Sequence, residues 1–189
     1  MTTIPLSAAA PARRYATLSI TLHWLTVLLF IALYACIELK GYVPRGTPLR
    51  AALVGGHGIF GVSIFLLVWL RLLARKLYAA PPIEPRPPRW QTGLAHATHS
   101  LLYLLMIVPP VLAWLMLALA GKPFPWLGFE LPSPMAQDPD LAKTLKAVHE
   151  WIGNAGYWLI GLHALAGLFH HYVVRDNTLK RMLPGRREG

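Results

Sequence analysis

Apolar residues along this chain gather into four long runs, and charge, proline and glycine collect between them. The runs cover approximately Leu18–Ile37, Ala51–Leu70, Leu94–Ala120 and Val148–Val174. Each reaches the length of about 20 mainly apolar residues that a helix needs to cross the hydrocarbon of a bilayer. The pattern therefore predicts an all-α integral membrane four-helix bundle. The third run contains Pro109 and Pro110. A kink rather than a break is expected there, because neighbouring helices in a membrane bundle can satisfy the carbonyls that proline frees. All 18 Lys and Arg residues lie outside the four runs.

The segment Ala80–Pro88 is rich in proline and reads as a stiff, extended connector. The segment Gly121–Lys146 carries proline, glycine and acidic residues and is expected to lie over one end of the bundle. No internal repeat is evident, so residues 1–189 read as a single transmembrane unit.

Composition sharpens this picture. The chain is 55% apolar and only 14% charged, too few charges for a soluble domain of this length. Lys and Arg outnumber Asp and Glu by 18 to 8, a balance that raises nucleic acid as a partner. Placement excludes it, since the charges sit between apolar runs rather than on a polar face. The single cysteine, Cys36, excludes an intramolecular disulfide and any cysteine-based zinc or iron–sulfur site. Leu33-Tyr34-Ala35-Cys36 is faintly similar to a lipoprotein cleavage box, but Tyr34 suits such a box poorly and the run is long enough to span.

Orientation follows from the flanking charges. The N-terminus, the connector between runs two and three, and the C-terminal tail hold Arg13, Arg14, Arg71, Arg75, Lys76, Arg86, Arg89, Arg175, Lys180, Arg181, Arg186 and Arg187. The other two connectors hold Lys40, Arg45, Arg50, Lys122, Lys143 and Lys146. Twelve against six predicts both termini in the cytoplasm.

All eight histidines fall inside the runs or at their edges. Desolvation makes an ionisable group in a span costly unless a partner compensates, so each is a functional candidate. The plainer reading is hydrogen bonding between helices, or a place at the headgroup interface, which suits His170 and His171. His57 and His149 lie near the outer ends of runs two and four, and His23 near the inner end of run one. His163 follows His149 by 14 residues, which is roughly 21 Å along the helix and about 40° around it. One face of run four thus offers a histidine to an outer site and another to an inner site. Neutral imidazoles without carboxylate or cysteine neighbours suit haem iron better than zinc or a di-iron centre. Gly61, Gly153 and Gly167 each follow a candidate ligand by four residues, where a small side chain lets a flat ring approach the helix. Ordinary helix packing also uses such glycines. His96 and His99, at the inner end of run three, compete with His23 on depth alone, or line a cofactor pocket. Spacing leaves the inner pair open.

Leu18-Ser19-Ile20-Thr21-Leu22-His23-Trp24, Gly56-His57-Gly58 and Thr92-Gly93-Leu94-Ala95-His96-Ala97-Thr98-His99 make up a distinctive series. It continues with His149-Glu150, Gly161-Leu162-His163, His170-His171-Tyr172 and Asp176-Asn177-Thr178-Leu179. In order and spacing the series resembles the bacterial cytochrome b561 family of four-helix dihaem membrane proteins, from about Tyr15 to Pro184. The resemblance implies two haem b groups, with His23 and His163 on the iron of the inner one and His57 and His149 on that of the outer one. It also implies electron exchange with ubiquinone in the bacterial cytoplasmic membrane. Some relatives are superoxide oxidases, and more distant ones are haem subunits that anchor hydrogenases or dehydrogenases.

Three functions are compatible with these features. The favoured one is an oxidoreductase that takes electrons from superoxide at the periplasmic side and reduces ubiquinone. With both axial positions filled, oxygen has no place on the iron, which suits electron transfer. The outer basic residues, Arg50, Lys143 and Lys146 among them, are candidates for steering the anion inward. The alternatives are an electron-transfer subunit serving a separate redox partner, and a structural membrane protein whose histidines join helices. For the quinone, His96, His99 and Arg89 are the candidate site, with Trp24 and Trp151 as possible ring neighbours. No motif locates that site.

Overall fold

The computed structural model describes residues 14–126, 129–131 and 135–185. Arg13, Arg186 and Arg187, which enter the charge count, lie outside the described residues. Four helices carry the fold: α1 (Thr17–Leu39), α2 (Pro48–Leu77), α3 (Arg89–Leu119) and α4 (Pro139–Phe169). All four are long and apolar enough to cross a membrane. Between α3 and α4 two short strands, β1 (Phe124–Trp126) and β2 (Phe129–Leu131), pair antiparallel.

The helices outrun the apolar runs that predict them, because helix formation does not stop where hydrocarbon does. α2 starts at Pro48, capped by Thr47, whose hydroxyl accepts the Arg50 N–H at 3.3 Å. α4 starts at Pro139, capped by Asp138, whose carboxylate accepts the Leu141 N–H at 3.0 Å. A capping oxygen followed by proline is a strong helix start, since it satisfies an orphan donor and pre-sets the backbone. The last part of the segment Gly121–Lys146, from Pro139 onward, is therefore helix rather than loop, and Lys143 and Lys146 stand on α4. α3 runs unbroken through Pro109 and Pro110.

Packing is pairwise. α1 lies against α2 and α3 against α4, with a lighter α2–α3 contact. Leu22, Leu67 and Ala74 form one buried cluster between α1 and α2. Ile64, Val68 and Met106 form a second, joined by Phe30, Leu33, Tyr103 and Ile107. Outward, Leu28, Ile31, Trp158, Leu162 and Leu165 are exposed, as lipid-facing side chains would be. The α1 and α2 backbones make little close approach to that of α4, and side chains cross the interval. Tyr34 of α1 donates to the Gly153 carbonyl of α4 at 2.9 Å, and Tyr157 of α4 donates to Glu38 of α1 at 2.6 Å. Gly156 is required here, because a β-carbon would collide with the Tyr34 hydroxyl and press on Leu105.

At the end where the described residues begin and finish, the chain ties itself down. After α4, a turn of π-helix (His170–Val174) and a left-handed Arg175 (φ 59°) reverse the backbone. This brings the Asp176 carboxylate, 2% exposed, to His170 Nδ1 at 2.6 Å and to the Thr178 N–H at 2.8 Å. Arg181, 5% exposed, donates to the Pro81 carbonyl and lies over the Tyr15 ring. Asn177 bonds Glu84 and Pro82, and Trp24 Nε1 donates to the Met182 carbonyl at 2.8 Å. The proline connector, the tail and α1 are thus fastened together.

Candidate functional site

Two pairs of imidazoles bridge the interval between helices at different depths. At the end near the β-strands, His57 of α2 meets His149 of α4, with ring centres 6.2 Å apart and planes at 73°. Toward the termini, His23 of α1 meets His163 of α4 at 6.4 Å and 73°. α4 serves both pairs because its two histidines are 14 residues apart and so share a face.

Both separations fit one metal ion held from opposite sides. Two imidazoles, each bonded at about 2 Å through a ring nitrogen, have ring centres roughly 6 Å apart. Among the described residues no three His, Cys, Asp or Glu side chains gather as a metal site of their own. The donor set thus fits a metal whose remaining ligands come from a planar macrocycle. Hydrogen bonds prepare the first pair for this. His57 Nδ1 lies 3.2 Å from the Leu33 carbonyl, and His149 Nδ1 lies 3.0 Å from the Pro109 carbonyl. A carbonyl can only accept, so each Nδ1 carries the proton and each Nε2 keeps a lone pair for a metal.

The glycines separate into two kinds. A β-carbon at Gly56 would press on Cys36 Sγ at 3.1 Å, so that glycine serves helix packing. At Gly153 and Gly167 it would meet no protein atom within 4 Å, and at Gly61 only Leu33 at an ordinary 3.7 Å. Helix-to-helix contact does not explain Gly153 or Gly167. Their place one turn beyond His149 and His163 fits a flat group against α4.

His99 of α3 also reaches His163, with ring centres 5.4 Å apart. That is closer than a metal between two rings permits, so His23 suits the opposing position better and His99 abuts the pair from the side. His96 is exposed and joins none of these ring contacts. Arg89, the first residue of α3, is exposed too. Trp24 meets His23 edge-on at 5.5 Å, whereas Trp151 is 71% exposed and faces outward.

A family model described as prokaryotic cytochrome b561 matches residues 14–185. The chain belongs to the prokaryotic cytochrome b561 family. Over 177 residues it is 42% identical to a protein of Yersinia pestis named probable superoxide oxidase CybB, covering 93% of this chain and 98% of that one. It is 36% identical over 174 residues to cytochrome b561 homolog 1 of Escherichia coli (strain K12), covering 92% and 99%. Cytochrome b561 homolog 2 of the same strain is 29% identical over 178 residues, covering 90% and 91%. Membership makes the chain a multi-pass membrane protein of haem b electron transfer, with oxidoreductase character.

In this family member the basic residues near the β-strand end have distinct surroundings. Arg50 donates to the Lys40 and Val43 carbonyls, at 2.5 and 2.8 Å, and so braces the turn between α1 and α2. Lys146 pairs with Glu150 at 3.0 Å on the exposed face of α4, and Lys143 is exposed one turn earlier.

Sequence reasoning passed over Arg71 by counting it among flanking charges. It lies inside α2, within 3.5 Å of His23 Nδ1. The signal was present: Arg71 follows His57 by the same 14 residues that separate His149 from His163, so it shares a face of α2 with His57. Also passed over were the Tyr34–Tyr157–Glu38 bridge and the Asp176 clamp on His170.

Proposed function

We propose that this protein is a dihaem superoxide:ubiquinone oxidoreductase of the bacterial cytoplasmic membrane, with both termini in the cytoplasm. His57 and His149 hold the haem on the periplasmic side, and His23 and His163 hold the one on the cytoplasmic side. The observation that carries this reading is the repeated geometry, two cross-helix imidazole pairs at 6.2 and 6.4 Å. Bound there, each haem would supply a one-electron carrier, and the paired imidazoles would leave its iron no place for oxygen. The protein's part is to fix the imidazoles. Leu33 and Pro109 set the tautomers of His57 and His149, and α4 sets the spacing between the pairs.

The overall reaction takes one electron from each of two superoxide anions, releases two molecules of dioxygen, and gives two electrons and two protons to one quinone. The name of the Yersinia pestis relative supports superoxide as donor. The exposed Lys143, with Arg50 and Lys146, supplies positive charge toward an anionic donor. Twelve basic residues on one side of the membrane against six on the other support the orientation. On the cytoplasmic side His99, in ring contact with His163, is the strongest of the quinone candidates.

Stopped-flow reduction of the purified protein by superoxide, with and without quinone, tests the reading. Rapid reduction of the Soret and α bands is expected, followed by reoxidation when quinone is present. The rate should fall as salt rises, because the field of the basic residues is then screened over about 8 Å at physiological ionic strength. Reduction no faster than by a neutral reductant, with no salt effect, would remove superoxide as the donor.

A further inference from the structure

Arg71 is a guanidinium inside a membrane-spanning helix, at the depth of the His23–His163 pair. A cation there is costly unless an anion or strong acceptors compensate. Two neighbours are plain. The Tyr103 hydroxyl on α3 is within hydrogen-bonding reach, and His23 Nδ1 lies 3.5 Å from Nη2. Among the described residues the ion pairs are Lys146–Glu150 and His170–Asp176, and neither involves Arg71. Arg75, one turn on, sits with its guanidinium carbon 5.9 Å from the Tyr103 ring centre, which adds positive charge rather than an acceptor.

The contact with His23 is informative because of what the two groups can donate. A histidine that binds iron through Nε2 carries its proton on Nδ1. A guanidinium has donors only. The two cannot bond to each other in that state, and each requires an oxygen acceptor. The other pair is built differently, since His57 and His149 both donate Nδ1–H to neutral backbone carbonyls. One end of the bundle therefore offers its imidazoles neutral acceptors, and the other offers a partly buried cation beside an N–H donor.

We propose that Arg71 holds a propionate carboxylate of the haem bound between His23 and His163, and that this cation raises the reduction potential of that haem relative to the other. A haem carries its two carboxylates on one edge, and a guanidinium fork is the side chain best matched to a carboxylate. A positive charge this close favours the reduced, more electron-rich centre. The inference rests on the dihaem reading of the two histidine pairs and adds a residue that the ligand pattern does not contain.

The test begins with haem content. Wild-type protein should carry two haems per chain, and fewer would sink the dihaem reading itself before any variant is considered. Arg71→Gln should keep both haems, lower one of the two midpoint potentials and leave the other in place. With haem labelled by carbon-13 in its propionate carboxyls, redox-difference infrared spectra should show shifted carboxylate bands in Arg71→Gln. Arg71→Lys retains the charge without the fork, so it should shift the same bands with a smaller fall in potential. It also supplies the comparison if Arg71→Gln proves unable to retain haem. Labelled carboxylate bands identical to wild type in whichever variant retains both haems would overturn the assignment. So would two potentials that move together.

Discussion

The four proposed ligands divide into pairs that single substitutions can separate. His57→Ala or His149→Ala should lose one haem and keep the other, whereas His23→Ala or His163→Ala should remove the second. Pyridine haemochrome content and the split of the α band read this out. His99→Ala should leave both haems in place, because its ring lies 5.4 Å from His163, too near for an iron between them. Four histidine variants with unchanged haem content would end the assignment.

A different residue controls acid stability. Burial alone pushes the Asp176 carboxyl up, but the hydrogen bonds from His170 and the Thr178 N–H outweigh it and hold the carboxyl below its ordinary value. A depressed carboxyl stabilises the fold above its unfolded-state value of about 4 and loses that contribution as pH falls through the folded one. Asp176→Asn should lower stability at pH 7 by about 1.5–3 kcal/mol, the range for hydrogen bonds to a charged group. The deficit relative to wild type should shrink in acid, as read by thermal loss of the Soret band. A deficit that stays constant down to pH 3 would show that charge is not the cause.

At the scale of elements, the four spans were legible because hydrocarbon imposes its own length on apolar runs. The helix ends were less so, since a hydropathy pattern marks the crossing and not the helix. Thr47-Pro48 and Asp138-Pro139 were in view, and as capping pairs they extend α2 and α4 past the apolar runs. The β1–β2 pairing left a weaker trace, being short and set within a connector broken by proline and glycine. Of the site, histidine depth was readable from position and spacing left His23 and His99 open; the resemblance implied His23, and the cross-helix ring distances favour it. Arg71 was hidden by being read as a flank. Side-chain volume is the deciding quantity where α1 crosses α4. Gly156→Val should displace the Tyr34 hydroxyl and Leu105, costing about 1–3 kcal/mol by overpacking. Gly153→Ala meets no protein atom within 4 Å. If a haem lies there, its effect should appear in haem retention rather than in the stability of haem-free protein.

For the whole molecule, the proposed orientation sets where each connector and the tail should lie. Reporter fusions after Lys40 and after Gly121 should report the periplasm, and fusions after Pro88 or at the C-terminus the cytoplasm. A cytoplasmic signal after Gly121 would turn the molecule over and put the His57–His149 pair on the inner side. The fastening of the tail to the proline connector, through Asn177 and Arg181, makes the C-terminal end a structural part of the bundle. Fusions should therefore follow Gly189 rather than replace the tail.

One helix supplies a histidine to both pairs, which makes α4 a ruler. The separation of the two histidine pairs along the helix axis is then fixed by 14 residues of helical rise, roughly 21 Å, and by nothing in the connectors. Loops are free to change length and charge without disturbing the spacing of the two pairs. The same arrangement makes α4 intolerant of indels. A single residue inserted between His149 and His163 turns one ring by about 100° relative to the other, so that only one of the two keeps its opposite number.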